Sequence, residues 1–305
     1  MTRVVFLLAP RVHLLDLAGP AQVFSTAADF GLDYELTYVA DQPDVPTAQG
    51  LPLRAETTWP DTQPDDLVLV PGWRSPLRPD GGEPPGPASL QRLVDHHRAG
   101  GTVASVCAGA YALGQAGLLD GRRCTTHHEL QDHLAARFPA ATVVRDVLYV
   151  VDGRVVSSAG IASGIDLALH LLATRHGPAA AAKVARSMVI YTRRNGDEPQ
   201  VSAILRHRAH IRDTVHRVQD LIDARFGDQL RLADLAATSG VSERTLTRLF
   251  AGTVGMSPLR YQQTLRLERA EHLIGHGATV EAAARAVGFE DARMLRRLRS
   301  RSTTH

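Results

Sequence analysis

The chain has 305 residues, which is enough for two domains with hydrophobic cores, and 44% of its residues are hydrophobic while only 5% are aromatic. The formal net charge is +2, but residues 201–305 carry +6 and residues 1–200 carry −4, so phosphate contact is expected from the C-terminal third alone. No apolar run is long enough for a membrane span, the run Val4 to Ala9 is too short for a signal peptide, and the two cysteines have no framework spacing. We therefore expect a cytoplasmic protein without membrane contact.

Short apolar runs alternate with helical segments through residues 1–190. Strands are predicted at Val4–Leu8, Tyr34–Ala40, Leu67–Val70, Thr102–Val106 and Val155–Ser158, and the first and fourth of these are expected to be buried. Helices are predicted at Leu14–Phe24, Leu90–Ala99, Ala108–Leu119, Gly160–Leu172 and Ala179–Ile190. This alternation predicts an α/β fold with a mostly parallel sheet and helices on both faces.

The junction between one of these strands and its helix carries a cysteine, Cys107. A sharp turn there would lift the thiol above the sheet edge, and the small residues Ala108 and Gly109 permit that geometry. Because the thiol would lie at a helix N-terminus, we expect a lowered pKa and a favoured thiolate. The alternative is a structural cysteine, since free cysteines are often simply buried.

Two segments resemble the class I glutamine-amidotransferase-like, or PfpI-type, fold. They are CAGAYALGQAGLLDGRRCTTHH at Cys107–His128 and VDGRVVSSAGIASGIDLAL at Val151–Leu169. The resemblance implies a flavodoxin-like α/β sandwich over residues 1–191. It matches the family's elbow cysteine to Cys107, a histidine to His127 and an acidic residue to Asp16. The candidate effector or reactive pocket consists of Cys107, Asp16, His127, Ala108 and Gly72.

A hydrolase of this class would need the Cys107 thiol poised against a base, for which His127 is the candidate, and a carboxylate, for which Asp16 is the candidate. Isonitrile-hydrating relatives resemble the chain around Asp16 and Cys107 but commonly carry Thr where this chain has Ala108, which argues against hydratase chemistry. His96, His97 and His128 lack partners at metal-ligand spacing and are expected at exposed helical positions. Cys124 is expected in the core. Neither a metal nor a cofactor is predicted.

A polar stretch follows the α/β region. It reads TRRNGDEPQ from Thr192 to Gln200, includes Pro199, and predicts the start of a linker. The stretch Val201–Phe226 is predicted to be helical. Residues 192–212 are accordingly assigned to a linker with a helical lead-in, and residues 213–305 to a separate domain.

The last third of the chain repeats one plan in Leu232–Phe250 and Val280–Leu298. Each copy is a short helix, a turn of glycine plus an apolar residue (Gly240-Val241 and Gly288-Phe289), and a second helix that Ser242, or Asp291 or Glu290, can cap. This pattern predicts two helix-turn-helix units, 232–252 and 280–300. The inward-facing residues are expected to be Leu246, Leu249 and Phe250 in the first unit and Met294, Leu295 and Leu298 in the second. The candidate DNA contacts are Ser242, Arg244, Thr247, Arg248, Ala292, Arg293, Arg296 and Arg297.

A rigid helix is predicted between the two copies, with Ser257 as its cap and Pro258 at its first position. The tandem repeat, the G-x-S-P segment (Gly255, Ser257, Pro258) and the R-L-x-x-A segment (Arg266, Leu267, Ala270) resemble an AraC/XylS-type DNA-binding domain. Such a helix would place the two reading helices in successive major-groove segments about 34 Å apart. Arg299 stands where that family usually has another aromatic residue, so we expect a less well packed second unit.

A PfpI-like domain followed by an AraC-type domain resembles the GlxA family of transcriptional regulators. The resemblance implies a homodimeric, non-catalytic regulator with promoter DNA and a small-molecule effector as partners, and RNA polymerase as a further candidate. A ligand in the pocket would change how the dimer presents its DNA-binding domains. Two alternatives stay open: a Cys107-dependent hydrolase or hydratase, and a redox sensor in which Cys107 is oxidised.

Overall fold

A computed structural model describes residues 1–75, 77, 81–190, 194–200, 207, 212–275 and 277–302. Residues 301 and 302 are described by their backbone only. The chain forms two compact units, Met1–Gln200 and Val201–His305, called here the N-terminal unit and the C-terminal unit. None of the described helices combines the length and the apolar content that a bilayer span requires.

The N-terminal unit is built on a six-stranded sheet. Its strands are β1 (Thr2–Leu8), β2 (Tyr34–Ala40), β5 (Leu67–Val70), β6 (Thr102–Val106), β9 (Tyr149–Asp152) and β10 (Val155–Ser158). They lie in the order β2-β1-β5-β6-β10-β9, and every pairing is parallel except that of β9 with β10. Two further pairs, β3 (Asp44–Val45) with β4 (Leu53–Arg54) and β7 (Arg123–Cys124) with β8 (Thr142–Val143), flank the sheet. The predicted mostly parallel sheet is confirmed.

Helices cover the sheet, and residues 4–8 of β1 are therefore buried completely or almost completely. The helices are α1 (Leu14–Asp29), α2 (Pro87–Arg98), α3 (Gly109–Gln115), α4 (Gln131–Arg137), α5 (Ser163–His176) and α6 (Pro178–Ser187). The helix predicted from Gly160 begins only at Ser163, because Gly160 and Ile161 have φ values of +102° and +50° and form a turn.

Residues 194–200, called here the strap, pack onto the N-terminal unit. Arg194 makes two side-chain hydrogen bonds to the buried carboxylate of Asp166, at 2.6 and 3.0 Å. The backbone N–H groups of Leu148 and Tyr149 donate to the carbonyl of Gly196 at 2.8 and 3.2 Å. This part of the predicted linker is therefore folded, since a buried carboxylate needs a charged partner. Most of the predicted lead-in before residue 212 lies outside the described residues.

The C-terminal unit is helical. Its helices are α7 (Asp213–Arg225), α8 (Leu232–Ser239), α9 (Glu243–Val254), α10 (Pro258–Gly275), α11 (Val280–Ala286) and α12 (Ala292–Ser302). Helices α8 and α9 form the first helix-turn-helix, α11 and α12 form the second, and α10 connects them, as predicted. Ser257 caps α10 through its hydroxyl, which accepts a hydrogen bond from the N–H of Arg260 at 3.3 Å.

The two helix-turn-helix units have separate hydrophobic cores that differ in the size of their buried side chains. The first includes Leu246, Phe250 and Tyr261, all fully buried, with Leu249 half-buried against it. The second consists of Ala270, Ala283, Ala284, Val287, Phe289 and Leu295. The predicted inward position of Met294 is wrong, because this side chain is 44% exposed. The inner stripe of α12 runs through residues 292, 295 and 298, so Ala292 packs inward instead.

Candidate functional site: the Cys107 cavity and the DNA-binding face

Cys107 lies in the turn between β6 and α3 with φ +54°, a conformation that non-glycine residues rarely adopt. Glycines let the backbone close around it. A Cβ added to Gly160 would lie 2.2 Å from the Cβ of Cys107, and one added to Gly72 would lie 2.7 Å from the same atom. No larger residue fits at either position without movement of the elbow. The predicted sharp turn at Cys107 is therefore present.

Asp16 lies in the first turn of α1 and is completely buried. Its Oδ1 accepts a hydrogen bond of 2.6 Å from the backbone N–H of Ile161. Its Oδ2 lies against Gly72, where an added Cβ would come within 2.3 Å of it. Burial raises the pKa of Asp16 to about 7, and the N–H of Ile161, the Cys107 thiol and the backbone of Gly72 act in the opposite direction. Among the described residues only Ile161 forms a hydrogen bond with good geometry to this carboxylate, and Oδ2 is buried without a partner.

The pKa of the Cys107 thiol is raised well above its usual value, first by burial and then by the negative charge of Asp16. The expected lowering is wrong for a physical reason. The N–H of Ala108 does favour the thiolate, as a helix N-terminus should, but one amide does not offset burial and a neighbouring carboxylate. Burial and the neighbouring Asp16 therefore favour the protonated form of the Cys107 thiol.

His127 lies on the same cavity but is engaged elsewhere. Its Nδ1 accepts a hydrogen bond of 3.4 Å from the backbone N–H of Glu129, and its ring lies 4.3 Å from that of His128. Burial, and then the neighbouring His128, lower its pKa. In the described part of the chain no hydrogen bond joins the His127 ring to the Cys107 sulfur. The structure thus brings Cys107, Asp16, Gly72 and Ala108 together and leaves His127 at the cavity wall.

The cavity has a volume of about 370 Å³, within the range of small-molecule sites. Its wall combines the Arg74 guanidinium, the Glu129 carboxylate and the Trp73 indole with imidazoles and apolar groups. The lining residues are His13, Ala48, Gln49, Trp73, Arg74, Ser75, Cys107, His127, Glu129, Leu130 and Ile161. Sequence reasoning missed His13, Trp73, Arg74 and Glu129. The available signal for Trp73 and Arg74 was their place directly after the carboxyl end of β5, where parallel sheets bind ligands.

The predictions for the remaining histidines and for Cys124 have different outcomes. His128 is exposed and Cys124 is fully buried, as predicted. The exposed position predicted for His96 is wrong: it is only 3% exposed, and its ring nitrogens lie 3.2 Å from Thr62 Oγ1 and from the carbonyl oxygen of Asp66. His97 is half-buried. The described residues include no group of three or more His, Cys, Asp or Glu that could hold a metal ion.

The first helix-turn-helix presents a cationic edge on α9. Gly240 has φ +69° and ends α8, and the Ser242 hydroxyl then accepts a hydrogen bond of 3.2 Å from the N–H of Thr245. Arg244 and Arg248 lie one turn apart and are exposed, while Thr247 between them is half-buried. Neither arginine has an acidic partner in the part of the chain that is described. Both guanidinium groups are therefore available to an external anion.

The second helix-turn-helix is built in the same way, but two of its candidate DNA-contacting arginines, Arg293 and Arg296, pair with acidic residues of the same unit. Asp291 Oδ1 accepts a hydrogen bond of 2.8 Å from the N–H of Arg293, which caps α12, and its Oδ2 lies 3.6 Å from the Arg293 guanidinium. Arg296 forms an ion pair with Glu281. Arg297 is exposed. Ala292, predicted on the outer face, belongs to the core.

Comparison with known protein families agrees with this two-part organisation. The model of the DJ-1/PfpI family matches residues 2–174, which is more than half of the chain and includes the Cys107 elbow and Asp16. The chain belongs to the DJ-1/PfpI family. A helix-turn-helix domain model matches residues 235–304, the region of α9 and α12. This DJ-1/PfpI protein is thus a helix-turn-helix transcriptional regulator, and the predicted combination of a PfpI-like and an AraC-type domain is confirmed.

Relatives of two kinds resemble it. The HTH-type transcriptional regulator CdhR of Pseudomonas aeruginosa is 29% identical over 93% of this chain and 84% of that protein. Isonitrile hydratase of Pseudomonas putida is 36% identical over 54% of this chain and 68% of that protein. A crystal structure of an AraC family transcriptional regulator from Pseudomonas putida has the same fold, with a TM-score of 0.54, 24% identity and coverage of 62% of this chain and all of that one.

Proposed function

We propose that this regulator binds promoter DNA sequence-specifically through α9 and α12, and that a small molecule in the Cys107 cavity controls this binding. The observation that carries the proposal is the pair Arg244 and Arg248, exposed on the second helix of a helix-turn-helix without an acidic partner among the described residues. An α-helix of this kind fits the major groove, where arginine forms bidentate hydrogen bonds with guanine. The protein would act in the cytoplasm, as a homodimer.

The strap offers a route from the cavity to the DNA-binding unit. Thr126 precedes the cavity residue His127, and its hydroxyl donates to the carbonyl of Cys107 at 2.8 Å. The carbonyl of Thr126 accepts a hydrogen bond of 2.9 Å from the side chain of Gln200. Gln200 is the last residue of the N-terminal unit before the connection to α7. A ligand that moves Thr126 would therefore weaken or strengthen its hydrogen bond to Gln200, at the start of that connection.

Catalysis is not part of this proposal. The raised pKa of the Cys107 thiol disfavours the thiolate and so also weighs against the redox-sensor alternative, and no hydrogen bond among the described residues joins it to the His127 ring. Two observations favour the enzyme alternative: the chain resembles isonitrile hydratase, and Asp16 lies against the Cys107 thiol. The substitution Cys107→Ser separates the two functions. An enzyme loses isonitrile turnover, whereas a ligand-controlled regulator keeps ligand-dependent DNA binding.

The first test is selection of duplexes from a random pool by the full-length protein at modest salt. We expect enrichment of one sequence, and light scattering that reports a dimer. Enrichment of no fragment over bulk competitor DNA would overturn the proposal.

Metabolite libraries would then be screened by thermal shift against the wild type and Ala48→Phe, which places a large side chain at a half-buried residue of the cavity wall. A stabilising compound should alter DNA affinity in the wild type and have no effect on the variant. A compound that stabilises both proteins equally would bind outside the cavity and contradict the second half of the proposal.

A further inference from the structure

The side chain of Arg266, on the connecting helix α10, reaches two separate loops of the C-terminal unit. On one side it donates to the loop between α7 and α8: its Nε bonds the carbonyl of Phe226 at 2.6 Å, and its Nη2 bonds those of Gly227 and Asp228 at 3.2 and 2.7 Å. On the other side its Nη1 donates to the carbonyl of Gly288 at 2.8 Å. Gly288 forms the turn of the second helix-turn-helix.

The two loops also touch each other at this point. A Cβ added to Gly288 would lie 1.8 Å from the carbonyl oxygen of Gly227, so the backbones are in direct contact. The side chain of Gln229 donates to Glu290 at 2.8 Å, and the ring of Phe226 packs against both hydrophobic cores. The guanidinium carbon of Arg266 lies 5.5 Å from the centre of the Phe289 ring. We call the four hydrogen bonds of Arg266 to these two loops the Arg266 bridge.

We propose that Arg266 is a positioning residue that fixes the spacing between α9 and α12, so that the protein reads one bipartite DNA element of fixed spacing. A planar guanidinium with five N–H donors can hold carbonyl groups on both sides of itself, which an ammonium group cannot do in the same plane. The turn that it holds on the second side begins the reading helix α12. This inference rests on the proposed function.

The bridge is distinct from the packing that folds each helix-turn-helix. Helix α10 contributes Leu265 to the first core and Ala270 to the second, and both are buried. Loss of the Arg266 side chain leaves these apolar contacts in place. We therefore expect each helix-turn-helix to survive the substitution while the register between the two is lost.

The test compares the full-length wild type with Arg266→Ala and with the control Arg269→Ala. Arg269 is exposed on the same helix, so the control removes the same charge without touching the bridge. Each protein selects duplexes from a random pool, and the selected site is then rebuilt with one or two base pairs inserted between its halves. The wild type and the control should lose about ten- to a hundredfold in affinity on insertion, because the base contacts of α12 are lost. Arg266→Ala should bind the original site that much more weakly and be nearly indifferent to the insertion.

The outcomes separate this inference from the proposed function. If the wild type enriches no sequence, the proposed function fails. If it enriches a bipartite site and Arg266→Ala keeps the same affinity and the same sensitivity to spacing, the bridge inference alone is overturned. Should Arg266→Ala melt below the assay temperature, Arg266→Lys takes its place with the same expectation. Unfolding of both variants would mean that Arg266 holds the domain together instead of setting its spacing, which also overturns the inference.

Discussion

The two compact units use charged side chains in opposite ways. In the N-terminal unit the candidate site carboxylate, Asp16, is completely buried, and it faces a cysteine thiol with a raised pKa. In the C-terminal unit the candidate DNA-contacting cations, Arg244 and Arg248, are exposed on a helix. The difference follows from the kind of ligand that each site is proposed to bind. A small ligand is enclosed by a cavity whose groups are held in place beforehand, whereas a DNA backbone is met by charges that stay in water until contact.

The largest expected effect concerns the buried carboxylate. Because Asp16 has a folded pKa of about 7 against an ordinary value of 3.8, the native state holds its proton more tightly than the unfolded state does. Its contribution to stability is therefore most favourable below pH 4 and is lost as the pH rises to 7. By pH 8 the loss is about 4 kcal/mol in the free energy of unfolding of the N-terminal unit.

Asp16→Asn should remove this slope and give a unit that is more stable than the wild type at pH 8. Urea unfolding at pH 5 and pH 8, followed by the fluorescence of Trp59 and Trp73, which both belong to the N-terminal unit, measures both values. Equal pH slopes in the two proteins would show that the Asp16 carboxyl is ionised and solvated, and would break the contrast between the units.

The second largest effect is expected when a large side chain in the core of the first helix-turn-helix is shortened. Leu246 is fully buried, and Leu246→Ala should lower the stability of the C-terminal unit by about 3 kcal/mol through lost burial and a cavity. The transition of the N-terminal unit should stay where it is in differential scanning calorimetry. Leu259→Ala, at a site that is 39% exposed, is the matched control with a small effect. A single transition that shifts as a whole would mean that the two units unfold as one.

The DNA contacts give the third effect. Arg248→Ala should weaken specific binding by about 1–3 kcal/mol if its guanidinium reaches a base edge. Arg297→Ala, from the second helix-turn-helix, should weaken it less, because three of the six buried residues in the core behind it are alanines, which provide little packing area. Titrations of specific and competitor duplexes at several salt concentrations measure this. An equal loss on every sequence with a flatter salt dependence would assign Arg248 to phosphate alone.

The smallest expected effect is a single hydrogen bond that ties α10 to α7. The Tyr261 hydroxyl donates to Asp223 Oδ1 at 2.8 Å, from a ring that is otherwise buried. Tyr261→Phe should lower the stability of the C-terminal unit by about 1 kcal/mol and leave DNA specificity unchanged. Chemical denaturation and the same DNA titration test both halves. A change in the selected sequence would show that this bond also helps to set the reading helices.

Local signals in the amino-acid sequence were sufficient to predict the architecture of both units. Runs rich in apolar residues predicted β1, β2, β5, β6 and β10, four of them to the residue. The entirely apolar runs, Val4–Leu8 and Leu67–Val70, belong to strands whose side chains are buried on both faces. Gly240 and Ser242 predicted the turn of the first helix-turn-helix, since a left-handed residue and a side-chain cap depend only on neighbours in sequence. The quoted motifs were enough to indicate both domain families.

Properties that depend on the surroundings were decided by the tertiary structure. The pKa of Cys107 rises first because the thiol is buried and then because Asp16, far away in sequence, lies against it, and no local pattern reveals either fact. His96 is enclosed by residues of other segments, and Met294 falls outside the stripe that α12 turns inward. The Arg266 bridge joins loops that lie about forty and twenty residues from it along the chain. Sequence specifies which groups are available and how each segment folds, while their electrostatic state and spacing depend on which distant residues become neighbours.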